Sequence, residues 1–427
     1  MQYIYLNNIR GFTRSLIPIR ACNFLVGENS TGKSSFLSLL KLLSKPDFYF
    51  QSRFAFGDEA SPAAFNDLVS AWAKDKTFFD VGTLDIDEVS TGKTRLQFQV
   101  HRFTEDSGSP LLAQFIQRKS QTNIRLRFSR KTTEYLRADD VAEPSSNGAA
   151  ILEFWRAVES FENSTAEFEK FPKQFGGHPP LGLALSLLSS LQKGKQPSVR
   201  EIQFEFPSGR QLTWIAPIRT KPSRIYDGLT REYSAEGGHA PFVLKQQLKS
   251  TKFVDKLREF GTASGLFEIL ETHTFGKGIR NPFEVMIRLS GQSFNIENVG
   301  YGVSQVLPLI VEFLSRKEGR RFAVQQPEVH LHPRAQAALG SLLFFLAAER
   351  KHTFLVETHS DFLIDRYRLE MNGSTDAPHS QILFFSRTAT GNQIVPIEIS
   401  QKGHYPAEQP TEFRDFFVRE EMRLLSL

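Results

Sequence analysis

The run Gly27-Glu28-Asn29-Ser30-Thr31-Gly32-Lys33-Ser34 limits this chain more than any other segment, because it fits the spacing G-x-x-x-x-G-K-[ST] without a gap. Glycines let the backbone turn tightly enough for successive N–H groups to face one anion. The lysine offers its charge to β- and γ-phosphates, and the serine hydroxyl offers a ligand to Mg²⁺. Phe24-Leu25-Val26 reads as an apolar strand entering the loop. Lys33 to Leu43 reads as the helix leaving it, with Phe36, Leu39, Leu40 and Leu43 on one face and Pro46 as its stop. Such a helix aims the positive end of its dipole at the same anion. The octapeptide alone could be a coincidence in a Gly/Ser-rich turn; its place between strand and helix predicts a phosphate-binding loop. The candidate ligands for ATP are Gly27, Glu28, Asn29, Ser30, Thr31, Gly32, Lys33, Ser34 and Ser35, with Ser34 also proposed for Mg²⁺.

A chain of 427 residues leaves room for two or three units at roughly 100–200 residues each. The formal charge of +5 permits a nucleic-acid partner without requiring one. Cys22 is the single cysteine, which excludes an intramolecular disulfide and a cysteine-based metal cluster and fits a reducing cytosol. Met1-Gln2-Tyr3-Ile4 lacks the features of a signal peptide, and the longest apolar run, Leu342 to Ala348, is too short to span a bilayer. A cytoplasmic protein without a membrane partner is expected. The 39 phenylalanines are expected to fill a core or a subunit interface.

Along the chain, residues 1–140 are expected to form an N-terminal lobe in which Arg95 to Val100 and Asn123 to Phe128 alternate with period two, as in an antiparallel sheet. Residues 141–200 read as a helical insertion (Ile151 to Phe171, then Leu181 to Leu191), 201–240 as a return to the core, and 241–275 as a second helical insertion. Residues 276–427 form the C-terminal lobe. There Phe322–Val324, Thr353–Val356 and Ile382–Phe385 alternate with the helical segments Arg334–Glu349 and Asp361–Arg368, which predicts a parallel sheet with crossover helices.

Four segments, in order, carry a family resemblance: Val26 to Ser35, Asn298-Val299-Gly300-Tyr301-Gly302-Val303-Ser304-Gln305, Val324-Gln325-Gln326-Pro327-Glu328-Val329-His330-Leu331-His332-Pro333, and Val356-Glu357-Thr358-His359-Ser360. Together they resemble the Walker A, signature, Walker B/D-loop and switch-histidine segments of SMC, RecF and OLD-like ATPases. Phe65 to Val69, Ala216-Pro217-Ile218-Arg219 with Tyr226, and Gly403 to Phe417 are weaker likenesses. The implied fold is an α/β ABC-type P-loop ATPase head with a mixed sheet, an antiparallel β subdomain and helical insertions. No long heptad register is present, which argues against a full SMC protein with a coiled-coil arm. The implied mechanism pairs two heads into a homodimer or larger homo-oligomer, with Gly300, Gly302 and Ser304 of one copy facing the γ-phosphate held by the other.

On this resemblance Gln325, Gln326, Glu328 and His359 are the catalytic candidates, and Gln325 joins Ser34 as a metal candidate. The two acidic Walker B places fall on Gln325 and Gln326, whose amides carry no charge and take no proton from water. Two readings stay open: an engineered replacement of Glu that traps ATP, or a natural protein that turns over slowly or recruits Glu328 or Glu357. Either predicts ATP binding with poor hydrolysis. His330 and His332 with Glu328 admit a metal reading, although no further ligands follow at zinc spacing. Lys245, Lys249, Lys252 and Lys256 recur at helical spacing, as either a rail for nucleic-acid phosphates or a solvated face. Arg125, Arg127 and Arg130 could add to a basic surface. The 217–219 segment with Arg224 and Tyr226 could couple lobes or simply end a strand.

OLD nucleases carry a following Toprim domain, for which the sequence past His359 is too short. The expected effector is therefore a separate nuclease or toxin, as in anti-phage systems of the Septu and PARIS kind. A RecF-like DNA-repair ATPase and an ATP-binding scaffold with little turnover are the rival expectations.

Overall fold

The computed structural model describes residues 1–51, 54, 63–88, 94–161, 167–171, 177–192, 211–228, 232–276 and 281–416. The chain divides into two compact units. The first comprises Met1–Arg20, Asn29–Ser208 and Phe385–Ile394; the second comprises Ala21–Glu28, Gly209–Phe384 and Val395–Leu427.

In chain order the N-terminal elements are β1 (Gln2–Asn7), β2 (Ser15–Ile19), β3 (Cys22–Gly27), α1 (Lys33–Leu43), α2 (Pro46–Gln51), α3 (Phe65–Leu68), β4 (Phe78–Glu88), β5 (Thr94–Asp106), β6 (Ser109–Lys119), β7 (Thr122–Phe128), β8 (Thr133–Ala138), α4 (Asn147–Glu159), β9 (Glu169–Lys170) and α5 (Leu181–Gln192). All strands here except β3 make one antiparallel sheet in the order β2-β1-β4-β5-β6-β7-β8-β9. Between β5 and β6 the chain turns on Ser107 and Gly108, both at positive φ, the geometry whose twist matches the paired strands. Alternation along the strands sends Tyr5, Leu84, Phe98, Val100 and Ile116 to one face, where α4 covers them with Ala150, Phe154 and Val158. Ser146 caps that helix by accepting from the Ala149 amide. Elsewhere in this unit Phe48, Phe54, Phe79 and Phe103 pack ring against ring, so these phenylalanines are core.

Two local expectations need correction. The helical reading of Ile151 to Phe171 stops at Glu159, and Glu169 and Lys170 pair with Glu134 and Tyr135 of β8. Pro46 does not merely stop α1, which ends at Leu43; it opens α2, where a missing N–H costs nothing.

The remaining elements are β10 (Leu212–Ile215), α6 (Ala240–Gln247), α7 (Thr251–Ser264), β11 (Ile269–Thr274), β12 (Phe283–Leu289), β13 (Gln292–Asn295), a 3₁₀ turn at Ile296–Asn298, α8 (Tyr301–Ser315), β14 (Arg321–Gln325), α9 (Pro333–Glu349), β15 (Thr353–Glu357), α10 (Asp361–Asn372), β16 (Ser380–Thr388) and β17 (Gly391–Ile399). A six-stranded sheet runs β10-β14-β15-β3-β16-β17, with β10, β14, β15 and β3 parallel. Only two residues join β16 to β17, a connection that parallel neighbours cannot make, so the sheet is mixed. Its parallel strands are buried apolar runs: Phe24-Leu25-Val26, Phe322-Ala323-Val324 and Phe354-Leu355-Val356. Helix α9 approaches α10 so closely that a Cβ on Gly340 would meet the Leu363 carbonyl at 2.3 Å. Strands β11, β12 and β13 form a separate antiparallel sheet.

The expected lysine stripe is broken. Helix α6 ends at Gln247 and α7 starts at Thr251, so Lys245 and Lys256 stand on different helices. Lys245 lies over the Phe283 ring, and Lys256 lies over Phe345 while pairing with Glu259. Both ammonium groups are engaged within the fold.

Candidate functional site

Strand β3 is buried along its whole length and ends at Gly27, the first glycine of the phosphate motif. The boundary between the two units falls just after Glu28. In the first unit the loop passes Ser30 at φ +63° and Gly32 at φ +100° before α1 begins. A Cβ on Gly32 would lie 2.7 Å from the Phe12 ring and 2.9 Å from Asn392 Nδ2, so both conformation and space demand glycine. Arg387 Nη2 donates to the Ser30 carbonyl and holds the turn. Gly32 supplies no side-chain cap, and no acidic residue occupies the first turn of α1. A helix end of this kind suits an external anion. Lys33 is 4% exposed and Thr31 is buried, whereas Ser34 is exposed. These residues fit a triphosphate with its divalent cation.

In the second unit the parallel strands bring the Walker B and switch segments side by side at their C-terminal ends. Gln325 closes β14 directly opposite Glu357, which closes β15. Gln325 Nε2 donates to Glu357 Oε2 over 2.9 Å, which leaves Oε1 as the side-chain atom of Gln325 able to serve a metal. Glu357, 6% exposed, puts a carboxylate one strand away from the expected position. Gln326 follows in the left-handed region at φ +44°, and its N–H is held by the Glu357 carbonyl at 2.8 Å.

Glu328 reaches back to the switch segment, where its Oε1 accepts from the His359 amide at 2.7 Å. The His359 ring is exposed and lies 6.4 Å from the Phe416 ring; Phe417 is outside the described residues. Ser360 caps α10 by accepting from Leu363 N and donates its hydroxyl proton to Gln336 Oε1. Arg219, just beyond β10, is 3% exposed and donates from Nη2 to the Gln325 carbonyl at 3.1 Å. Burial pushes its guanidinium down to about 10, against the opposing pull of Glu328.

The signature segment splits. Gly300 is exposed at the N-terminal end of α8, beside Tyr301, which is 58% exposed. A Cβ on Gly302 would stand 3.0 Å from the His330 carbonyl. Ser304 is buried and donates its hydroxyl proton to the Tyr301 carbonyl, so that group is engaged inside its own helix. The His330 ring lies 5.8 Å from the Tyr301 ring, and among the described residues no group of three or more His, Cys, Asp or Glu side chains could hold a metal.

One cluster was not anticipated. Glu312 of α8 is buried, accepts from His239 Nε2 at 2.5 Å and from Arg316 Nε at 2.7 Å, while His239 Nδ1 accepts from the Ser234 amide. A glutamate inside the apolar run Val306 to Leu314 was the available clue, since a buried carboxylate requires partners.

No curated protein gives a significant sequence match. Solved structures with a similar chain course include an SMC head bound to the C-winged helix domain of ScpA (12% identity, TM-score 0.44, covering 93% of this chain and 98% of that one). Another is the SMC head domain from Thermotoga maritima (13% identity, TM-score 0.36, covering 93% and 98%). A third is the Smc head with an extended coiled coil from Pyrococcus furiosus, bound to the C-terminal domain of ScpA (12% identity, TM-score 0.39, covering 99% and 100%). Among the described residues no helix is long and apolar enough to cross a membrane. A family model matches residues 22–365, from the strand before the phosphate loop to the helix after His359. The chain therefore belongs to the P-loop ATPase family described as "AAA domain, putative AbiEii toxin, Type IV TA system".

Proposed function

We propose that the chain is an ABC-type ATPase of the OLD-like branch whose ATP-dependent pairing with a second copy controls a separately encoded effector, in defence against phage. The observation that carries the nucleotide reading is Gly32, left-handed and hemmed in by Phe12 and Asn392 at the uncapped start of α1. Lys33 and the loop amides would take the phosphates. Ser34 is a proposed ligand for Mg²⁺, which when bound neutralises charge on phosphate oxygens. Gly300 and Gly302 would face the nucleotide held by the partner copy; Ser304 would need to give up its bond to Tyr301 to join them.

Slow turnover follows from the strand ends. The buried carboxylate nearest Gln325 accepts that residue's amide proton, and a glutamine cannot serve as base in its place. This bond favours a second reading, a nucleotide-bound scaffold with little hydrolysis. Direct action on DNA draws no support from α6 and α7, whose lysines are partly engaged with phenylalanines and Glu259.

Calorimetry of ATP binding to the intact chain, beside Lys33→Ala, tests the reading. Saturable binding lost in the variant is expected; equal heats from both proteins would refute it.

A further inference from the structure

Arg219 is buried almost completely, yet only Nη2 finds acceptors, the carbonyls of Gln325 at 3.1 Å and Gln326 at 3.5 Å. Its Nε and Nη1 have no protein partner among the described residues. A buried cation is costly unless its donors are met, so donors that no described protein atom meets call for another group. The complementary shortage lies close by. Glu328 uses Oε1 for the His359 amide, while its buried Oε2 has no protein partner among the described residues. Nε and Nη1 point to different edges of the guanidinium, so a water can accept from one of them and donate to Glu328 Oε2.

We propose that Arg219 is the positioning residue of the Walker B turn: through one bridging water it fixes the Glu328 carboxylate, and through Nη2 it fixes the backbone of Gln325 and Gln326. The mutual attraction of the two charges fits this arrangement. Glu328 in turn holds His359 by its amide, so one guanidinium sets the strand end, the carboxylate and the switch loop together. The proposal rests on the ATPase reading for its consequence and on the ligand-free protein for its geometry.

Two measurements on Arg219→Gln, Arg219→Lys, Glu328→Gln and the Arg219→Gln/Glu328→Gln pair test it. In the ligand-free protein, the hydrogen-bonded amides of Gln326, Val329 and Leu331 should exchange about tenfold faster in Arg219→Gln, while those of β11 and β12 stay unchanged. Unchanged exchange at 326–331 overturns the proposal whatever the nucleotide does. In single-turnover ATP hydrolysis, Arg219→Gln should be slower by about 10- to 100-fold at unaltered calorimetric ATP affinity, with Arg219→Lys in between. The paired variant should be no slower than Glu328→Gln alone. Losses that multiply, or a parent whose turnover ignores Glu328→Gln, overturn the role of Arg219 in turnover. If the parent binds no ATP, the nucleotide reading fails by itself, and the exchange data still decide whether Arg219 grips the turn.

Discussion

Arg102 and Arg219 are both buried arginines, and the fold treats them in opposite ways. Arg102 forms a closed fork, with Nε on Asp80 Oδ1 at 2.7 Å and Nη2 on Oδ2 at 3.0 Å. Asn7 adds a further donor to Asp80, and the guanidinium lies 3.9 Å from the Phe78 ring centre. Among the described residues Arg219 bonds to backbone carbonyls alone, and two of its nitrogens have no protein partner. A charge pair closed on both carboxylate oxygens serves a framework. An unsaturated one retains capacity for a ligand or a moving carboxylate, at some cost in stability.

The contrast can be broken first where the largest loss is expected. Arg102→Met strands a buried Asp80 carboxylate, and urea denaturation should register about 3–5 kcal/mol. A loss equal to that of Arg219→Met would erase the distinction.

His352 offers a third treatment, a buried group kept neutral. It stands edge-on to the stacked Phe322 and Phe354 rings, its Nδ1 accepts from the Arg320 amide, and burial lowers it to about 4. The unfolded chain takes up this proton near the ordinary value of about 6.5. Between pH 6.5 and 4 the unfolded state therefore binds more protons, and stability should fall with acidity by up to about 3 kcal/mol. His352→Gln should flatten that slope in denaturation series at pH 7.5 and 4.5.

A smaller effect sharpens the picture at the strand ends. Gln325→Glu replaces an amide bonded to Glu357 by a second carboxylate, which should destabilise the ligand-free protein by about 1–2 kcal/mol, relieved by added Mg²⁺. ATP hydrolysis should rise at the same time; no rise would mean that Gln325 is not what limits turnover. Least of all, Arg219→Met should cost about 1 kcal/mol, since it removes bonds to backbone carbonyls and a water-mediated contact to Glu328, which keeps the His359 amide, rather than a direct charge pair.

Local pattern made much of the fold legible. Lys33 to Leu43 is a helix over the span its apolar spacing indicated, and Phe322–Val324 and Thr353–Val356 lie within parallel strands. Where the outcome depended on distant partners, local pattern failed. Glu169 and Lys170 became a strand because β8 offered an edge, and the lysine stripe dissolved because Ser250 starts a new helix. At the site, the phosphate-loop candidates came from spacing and the later segments from a family resemblance. The Gln325–Glu357 hydrogen bond joins residues 32 positions apart, and the contact from Arg219 to Gln325 spans 106, distances that no periodicity encodes.

The eight-stranded sheet also has two unusual rims. On one side β2 carries Pro18, which brings no amide hydrogen; on the other, β9 is two residues long, both charged and both exposed. Neither presents the long row of open donors and acceptors that a foreign strand needs for zipping on, which guards the sheet against fibril growth. Pairing of two copies strand against strand along these described rims is therefore disfavoured.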